Sequence, residues 1–156
     1  MRLLATLPLL LLPATVAAED SAQLQGEPAA IAKYRHAAFS GMGKHMRVLG
    51  MYAKGQVVLP KADIVAHAKA LQSTGPLMAN WFPDGTGPAA GVSTDALDTI
   101  WKDKAGFKTA IDNYKAATDK LVNKAEAGEK EAIVTAFKGV GKTCGGCHDT
   151  FRKDDD

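Results

Sequence analysis

The sequence predicts an all-α fold, a bundle of four helices of unequal length. Three observations carry that expectation. Apolar residues recur at helical spacing through most of the chain beyond its N-terminal stretch. Alanine and lysine, both good helix formers, are abundant. Runs of β-branched residues bounded by turn signals are nearly absent, and Val57-Val58-Leu59 is too short to seed a sheet. Apolar helix faces without a sheet must close on one another or around something between them.

Taken in order, residues 1–18 read as an export signal rather than as part of the fold. Met1-Arg2 is a minimal positive start, Leu3 to Leu12 is apolar apart from Thr6 and Pro8, and Val16-Ala17-Ala18 supplies small residues before Glu19-Asp20. Pro8 and Pro13 would break a buried helix this short. Cleavage after Ala18 leaves residues 19–156 as one domain, outside the cytoplasm. Pro28 suits a first helical position, and Ile31, Arg35, Phe39, Met42, Met46 and Leu49 form one stripe along a helix to about Lys54. Gly55 and Pro60 mark a turn before a second helix, Lys61 to about Thr74. The stretch from Gly75 to Thr94, rich in proline and glycine, is the one long irregular segment, and such loops are often functional. Ser93 or Thr94 is the expected cap of a third helix running to about Ala125. Gly128 closes it, and the fourth runs from Glu129 to about Arg152, ahead of a solvated Asp154-Asp155-Asp156 tail.

Composition excludes several function classes. The chain of 156 residues is 46% hydrophobic and 23% charged, ordinary values for one globular domain. A formal charge of +2 gives no basic surface for nucleic acid. No apolar run reaches the roughly 18 residues of a membrane span, and two cysteines cannot build a disulfide scaffold.

Both cysteines lie in Cys144-Gly145-Gly146-Cys147-His148. On a helix the thiols and the imidazole share one face. Each thiol can add across a porphyrin vinyl group to make a thioether, and the adjacent imidazole can reach the iron, so the spacing points to covalent haem c. Three other uses of the pair fit less well. A redox dithiol belongs after a strand in a βαβ unit. A zinc site needs further ligands at ligand spacing, and His36, His45 and His67 are scattered. A disulfide across two intervening helical residues has poor geometry. Gly139, Gly141, Gly145 and Gly146 each cost a helix about 1 kcal/mol relative to alanine, yet they would let its backbone approach a flat macrocycle.

A haem motif on the last helix resembles the class II cytochromes c, and among them cytochrome c′. The similarity extends through Tyr34-Arg35-His36-Ala37-Ala38-Phe39, Leu49-Gly50, Ala53-Lys54-Gly55, Trp81-Phe82-Pro83-Asp84-Gly85-Thr86, Ile100-Trp101 and Cys144 to Arg152. The resemblance implies an antiparallel up-down-up-down bundle, of which cytochromes c′ are a stock example. It implies thioethers at Cys144 and Cys147, His148 as the proximal iron ligand, and Arg35 at a haem propionate. His36, Phe39, Thr86 and Arg152 would border the haem.

Low-spin relatives place a ligating methionine where this chain has Phe39, so the resemblance implies a five-coordinate iron. Met42, one turn along the stripe, is the alternative sixth ligand. Two roles remain open at this level: electron transfer with redox partner proteins, and binding of nitric oxide or carbon monoxide. Phe39 offers no hydrogen bond to dioxygen or peroxide, so an enzyme is not expected. The family also implies a periplasmic location and a homodimer formed through the first two helices.

Overall fold

The computed structural model describes residues 23–153, so the expected export signal and the acidic tail lie outside the described residues. The helices are α1 (Pro28–Ala53), α2 (Lys61–Met78), the single turn α3 (Thr99–Lys102), α4 (Lys104–Ala127) and α5 (Lys130–Phe151). Two 3₁₀ turns, Ala79–Trp81 and Pro88–Ala90, punctuate the connection between α2 and α3. The four long helices form an antiparallel bundle. α4 packs extensively against both α2 and α5, and α1 completes the bundle against those same two helices. No strand occurs among the described residues beyond an isolated bridge between Ala96 and Arg152.

Pro28 opens α1, where its missing N–H would have had no helical partner. At the other end of the chain the turn between α4 and α5 is only two residues long. Gly128 adopts the left-handed conformation (φ 87°) and returns its N–H to the Lys124 carbonyl. The Glu129 carboxylate then accepts from the N–H groups of Glu131 and Ala132, satisfying donors exposed at the start of α5. So short a link forces α5 to run back along α4.

Two helix boundaries differ from the sequence expectation. α2 does not stop at Thr74 but continues through Pro76 to Met78. The proline removes one backbone bond near the helix end, while Gly75 and Met78 become buried. Gly75 also marks a close approach of α2 to α4, since an added Cβ would lie 2.7 Å from Lys115 Cγ. The third helix does not start at Ser93 or Thr94. The Thr94 hydroxyl instead accepts from Arg35 and from the Ala96 N–H, which commits it to the loop. The chain makes one turn in α3, breaks at Asp103 (φ −118°, ψ 66°) and restarts as α4. There the Asp103 carboxylate caps the Gly106 N–H at 2.8 Å.

The same loop is strapped to the end of α5. Leu97 N–H donates to the Phe151 carbonyl at 3.0 Å and Lys153 N–H to the Asp95 carbonyl at 2.8 Å. The Thr99 hydroxyl reaches the Thr150 carbonyl at 2.7 Å. Leu49, Leu71, Leu121 and Val140 are fully buried, and truncating any of these leucines to alanine would cost about 2–5 kcal/mol.

Candidate functional site

Between the long helices lies a cleft of about 880 Å³, within the range of roughly 300–1,000 Å³ that holds cofactors and drug-sized ligands. Cys144 and His148 line it from α5, and Phe39, Met42 and Met46 line it from α1. Leu71 contributes from α2 and Tyr114 from α4, while residues 93–96 and Arg152 border it beyond the helices. The thiol-bearing helix and the apolar stripe of the first helix therefore share one cavity.

The chemistry of the α5 wall separates the uses open to its cysteines. Both are free and half-buried, and Cys147 packs against the core. Burial pushes both thiols up, Cys147 to about 11 with a further contribution from Cys144. A redox dithiol needs a stabilised thiolate and hence a lowered value, the opposite of what this setting produces. Among the described residues no three His, Cys, Asp or Glu side chains gather as a metal cluster, which leaves a zinc site short of ligands. Cβ atoms added at Gly139, Gly141, Gly145 or Gly146 would meet nothing within 4 Å. The residues present fit a haem: a thiol and an imidazole in the cavity wall, a second thiol one turn along the same helix, a largely apolar facing wall and a cavity of suitable size.

Arg35 adds the second polar feature. It lines the cavity yet is only 3% exposed. One guanidinium nitrogen donates to the Trp81 carbonyl and the Thr86 hydroxyl, both at 3.1 Å. The other donates to the Thr86 carbonyl at 2.9 Å and the Thr94 hydroxyl at 3.2 Å. Its Cζ lies 4.6 Å from the centre of the Phe82 ring, a cation–π distance. Every hydrogen-bond acceptor is neutral, and no carboxylate among the described residues pairs with it. Burial draws its pKa down, although a guanidinium stays charged. A buried cation beside a cavity is a ready counterpart for an acidic group on a ligand.

The structure separates the expected site residues into two groups. Arg35, His36, Phe39, Cys144, His148 and Arg152 all border the cavity, as does the alternative ligand Met42. Thr86 does not. It is 2% exposed and sits behind Arg35, accepting from the guanidinium while donating to the Pro83 carbonyl at 2.8 Å. Its place is therefore that of a support for Arg35. His36 is exposed at the cavity border. Phe39 is half-buried, its ring edge-on to Trp81 at 5.3 Å and tilted against Phe82 at 6.2 Å.

Sequence reasoning missed two contributors. Thr94 was expected to cap a helix, and nothing in its local sequence marks it as a partner of Arg35. Tyr114, expected only as core, lines the cavity and donates its hydroxyl to the Leu71 carbonyl at 2.8 Å. Its helical spacing is that of an ordinary buried aromatic, so no signal distinguished it.

Comparison with known proteins places this geometry in context. The family model described as Cytochrome C′ matches residues 30–152. The cytochrome c′ of Rhodospirillum rubrum is 35% identical over 129 residues, spanning 82% of this chain and 85% of that protein. Two solved structures of cytochrome c prime variants from Alcaligenes xylosoxidans are similar. A nitric oxide complex superposes with a TM-score of 0.77 at 31% identity, covering 85% of this chain and all of the other. A carbon monoxide complex gives 0.75 at 32% identity, with coverage of 83% and 98%.

Proposed function

The chain belongs to the cytochrome c′ family, which carries covalent haem c, and from that premise we propose a periplasmic haem protein with an open distal face. Its five-coordinate iron binds nitric oxide and carbon monoxide, and it exchanges electrons with redox partner proteins. Haem, when bound, supplies an iron that cycles between ferric and ferrous states and has a coordination position for a diatomic ligand. Cys144 and Cys147 hold the group through thioethers, and His148 supplies the proximal nitrogen. Arg35, fixed by Thr86 and Thr94, faces an acidic edge of the group, and His36 and Arg152 border it. Residues 1–18 direct export and are removed, leaving 19–156. No helix among the described residues is long and apolar enough to cross a membrane. Two copies associate through α1 and α2, as the family resemblance implies.

The observation that carries the reading is Phe39. It lines the cavity from α1 while Cys144 and His148 line it from α5. A phenyl ring excludes water but has no lone pair for iron and no donor with which to polarise dioxygen or assist peroxide cleavage. A carrier of electrons or of nitric oxide and carbon monoxide suits that wall better than an oxygen-activating catalyst. The complexes of the Alcaligenes relatives with both gases support the same reading. Absorption spectra of the purified protein, oxidised, reduced and after carbon monoxide, test it. A high-spin iron that takes up carbon monoxide is expected. A low-spin iron that resists the gas would overturn it.

That second outcome has a structural basis. Met42 lines the same cavity and is 9% exposed. Its flexible thioether could reach the iron and make the protein a low-spin electron-transfer cytochrome. The same spectra separate the two readings.

A further inference from the structure

Away from the haem cavity, two histidines that the sequence leaves 22 residues apart converge between α1 and α2. His45 Nδ1 lies 2.8 Å from His67 Nδ1, with ring centres 5.1 Å apart and planes at 58°. Both side chains are half-buried, so the pair is held by the helices yet remains reachable from solvent. Neither lines the cavity.

From this geometry we infer that His45 and His67 form a second metal site, a two-imidazole chelate for a divalent late first-row ion, with Cu²⁺ the strongest binder. Two nitrogens bonded to one metal at 2.0–2.1 Å stand about 2.9 Å apart at a right angle and about 3.4 Å apart at the tetrahedral angle. The observed separation is within a tenth of an ångström of the first value. That is the separation, though with the rings turned for a hydrogen bond, of adjacent ligands in the square-planar or tetragonal coordination of Cu²⁺. Imidazole is a preferred ligand for Cu²⁺, Ni²⁺ and Zn²⁺, and affinities rise toward copper. In the free pair one Nδ1 carries the proton that the other accepts. On metal binding that proton passes through solvent to Nε2 of the same ring, and each ring turns to aim its Nδ1 lone pair at the ion. Solvent fills the remaining positions.

The pair also has the attributes of a chelate. The two ligands come from different helices whose separation is fixed by the packing of α1 on α2, so the second nitrogen binds as an intramolecular event. Removing either imidazole should weaken binding at least about tenfold.

The test uses the haem-loaded protein, in which both thiols are blocked as thioethers. Titration with Cu²⁺ alone, followed by calorimetry, should give one site per chain, with affinity weakening as the pH falls. His45→Gln and His67→Gln should each lose at least about tenfold in affinity, whereas Lys44→Gln, at an exposed neighbouring position outside the cavity, should retain the wild-type value. The haem absorption spectrum of each variant reports whether the bundle is intact. Electron paramagnetic resonance of the copper in the wild-type protein supplies an independent reading should a variant fail to fold. Hyperfine structure from two equatorial imidazole nitrogens is expected. A single nitrogen, or undiminished binding when both histidines are replaced, would overturn the assignment.

Discussion

Exchanging Phe39 for methionine isolates the residue on which the reading of an open iron depends. The ring occupies the α1 wall of the cavity and makes two aromatic contacts, with Trp81 at 5.3 Å and 87° and with Phe82 at 6.2 Å and 51°. Each such pair is worth about 0.5–1.5 kcal/mol beyond its area, so Phe39→Met forfeits roughly 1–3 kcal/mol of ring contact. Methionine returns most of the volume on a flexible stem, and its thioether is an iron ligand available to haem proteins. The expected outcome is a shift from five-coordinate high-spin toward six-coordinate low-spin iron. Carbon monoxide should then bind more slowly, because the thioether must leave first. Phe39→Ala should act in the opposite direction. Its stability cost belongs near or below the lower end of the roughly 3–5 kcal/mol typical of buried phenylalanine truncation, since the side chain is only half-buried. Absorption and magnetic resonance spectra report the spin state, and flash photolysis reports the rate of carbon monoxide return. Two variants that match the wild type in both would show that Phe39 is ordinary core, and the account of an open distal face would lose its foundation.

Other consequences follow from single contacts. Arg35→Leu leaves the buried carbonyls of Trp81 and Thr86 without their donor; at about 1–3 kcal/mol for each orphaned group, the urea midpoint should fall by the equivalent of roughly 2–6 kcal/mol. His148→Ala should alter the iron spectrum and weaken the bundle, and an unchanged spectrum would exclude His148 as the proximal ligand. Tyr114 is raised to about 12, first by burial. Its folded value thus exceeds the ordinary value near 10, so its stabilising effect is complete below pH 10 and is lost as the pH rises through 12. Tyr114→Phe should cost about 1 kcal/mol at neutral pH by removing the bond to Leu71, and should flatten the alkaline decline in melting temperature. Asp103→Ala removes the cap on Gly106 and should cost about 1 kcal/mol, measurable as a lower melting temperature.

The sequence made the long helices visible because their signals are local. Pro28, the stripe from Ile31 to Leu49, and the Gly128-Glu129 turn each act within a few residues of themselves. Where local and tertiary demands competed, the sequence misled. Thr94 has the chemistry of a helix cap, yet a buried guanidinium 59 residues earlier claims its hydroxyl. Asp103, a mid-helix residue by spacing, becomes the cap that Thr94 was expected to be. Pro76 has the chemistry of a helix stop, but helical residues on both sides of it are buried and carry the helix onward. The site divides in the same way. Cys144, Cys147 and His148 are legible because one helix sets their spacing. The support of Arg35 by Trp81, Thr86 and Thr94 assembles only when the loop after α2 folds back over α1.

That support also accounts for a polarity in the site that no single motif contains. A buried guanidinium is expensive unless its charge is answered, and replacing buried charge with apolar residues is often stabilising. Four hydrogen bonds to neutral acceptors satisfy the geometry of Arg35 without cancelling its charge. At the α5 wall the two thiols are held in their neutral form by burial, and the α1 wall beyond Arg35 is formed by Phe39, Met42 and Met46. The cavity thus combines largely apolar helix walls with a buried cation whose hydrogen-bond acceptors are all neutral. A wholly apolar ligand would leave that cation unanswered, and a small anion would leave the apolar walls uncovered. A flat apolar molecule with an acidic edge satisfies both, and the vinyl-bearing haem with its propionates is such a molecule. Under the proposed function the acidic edge of that group would face Arg35.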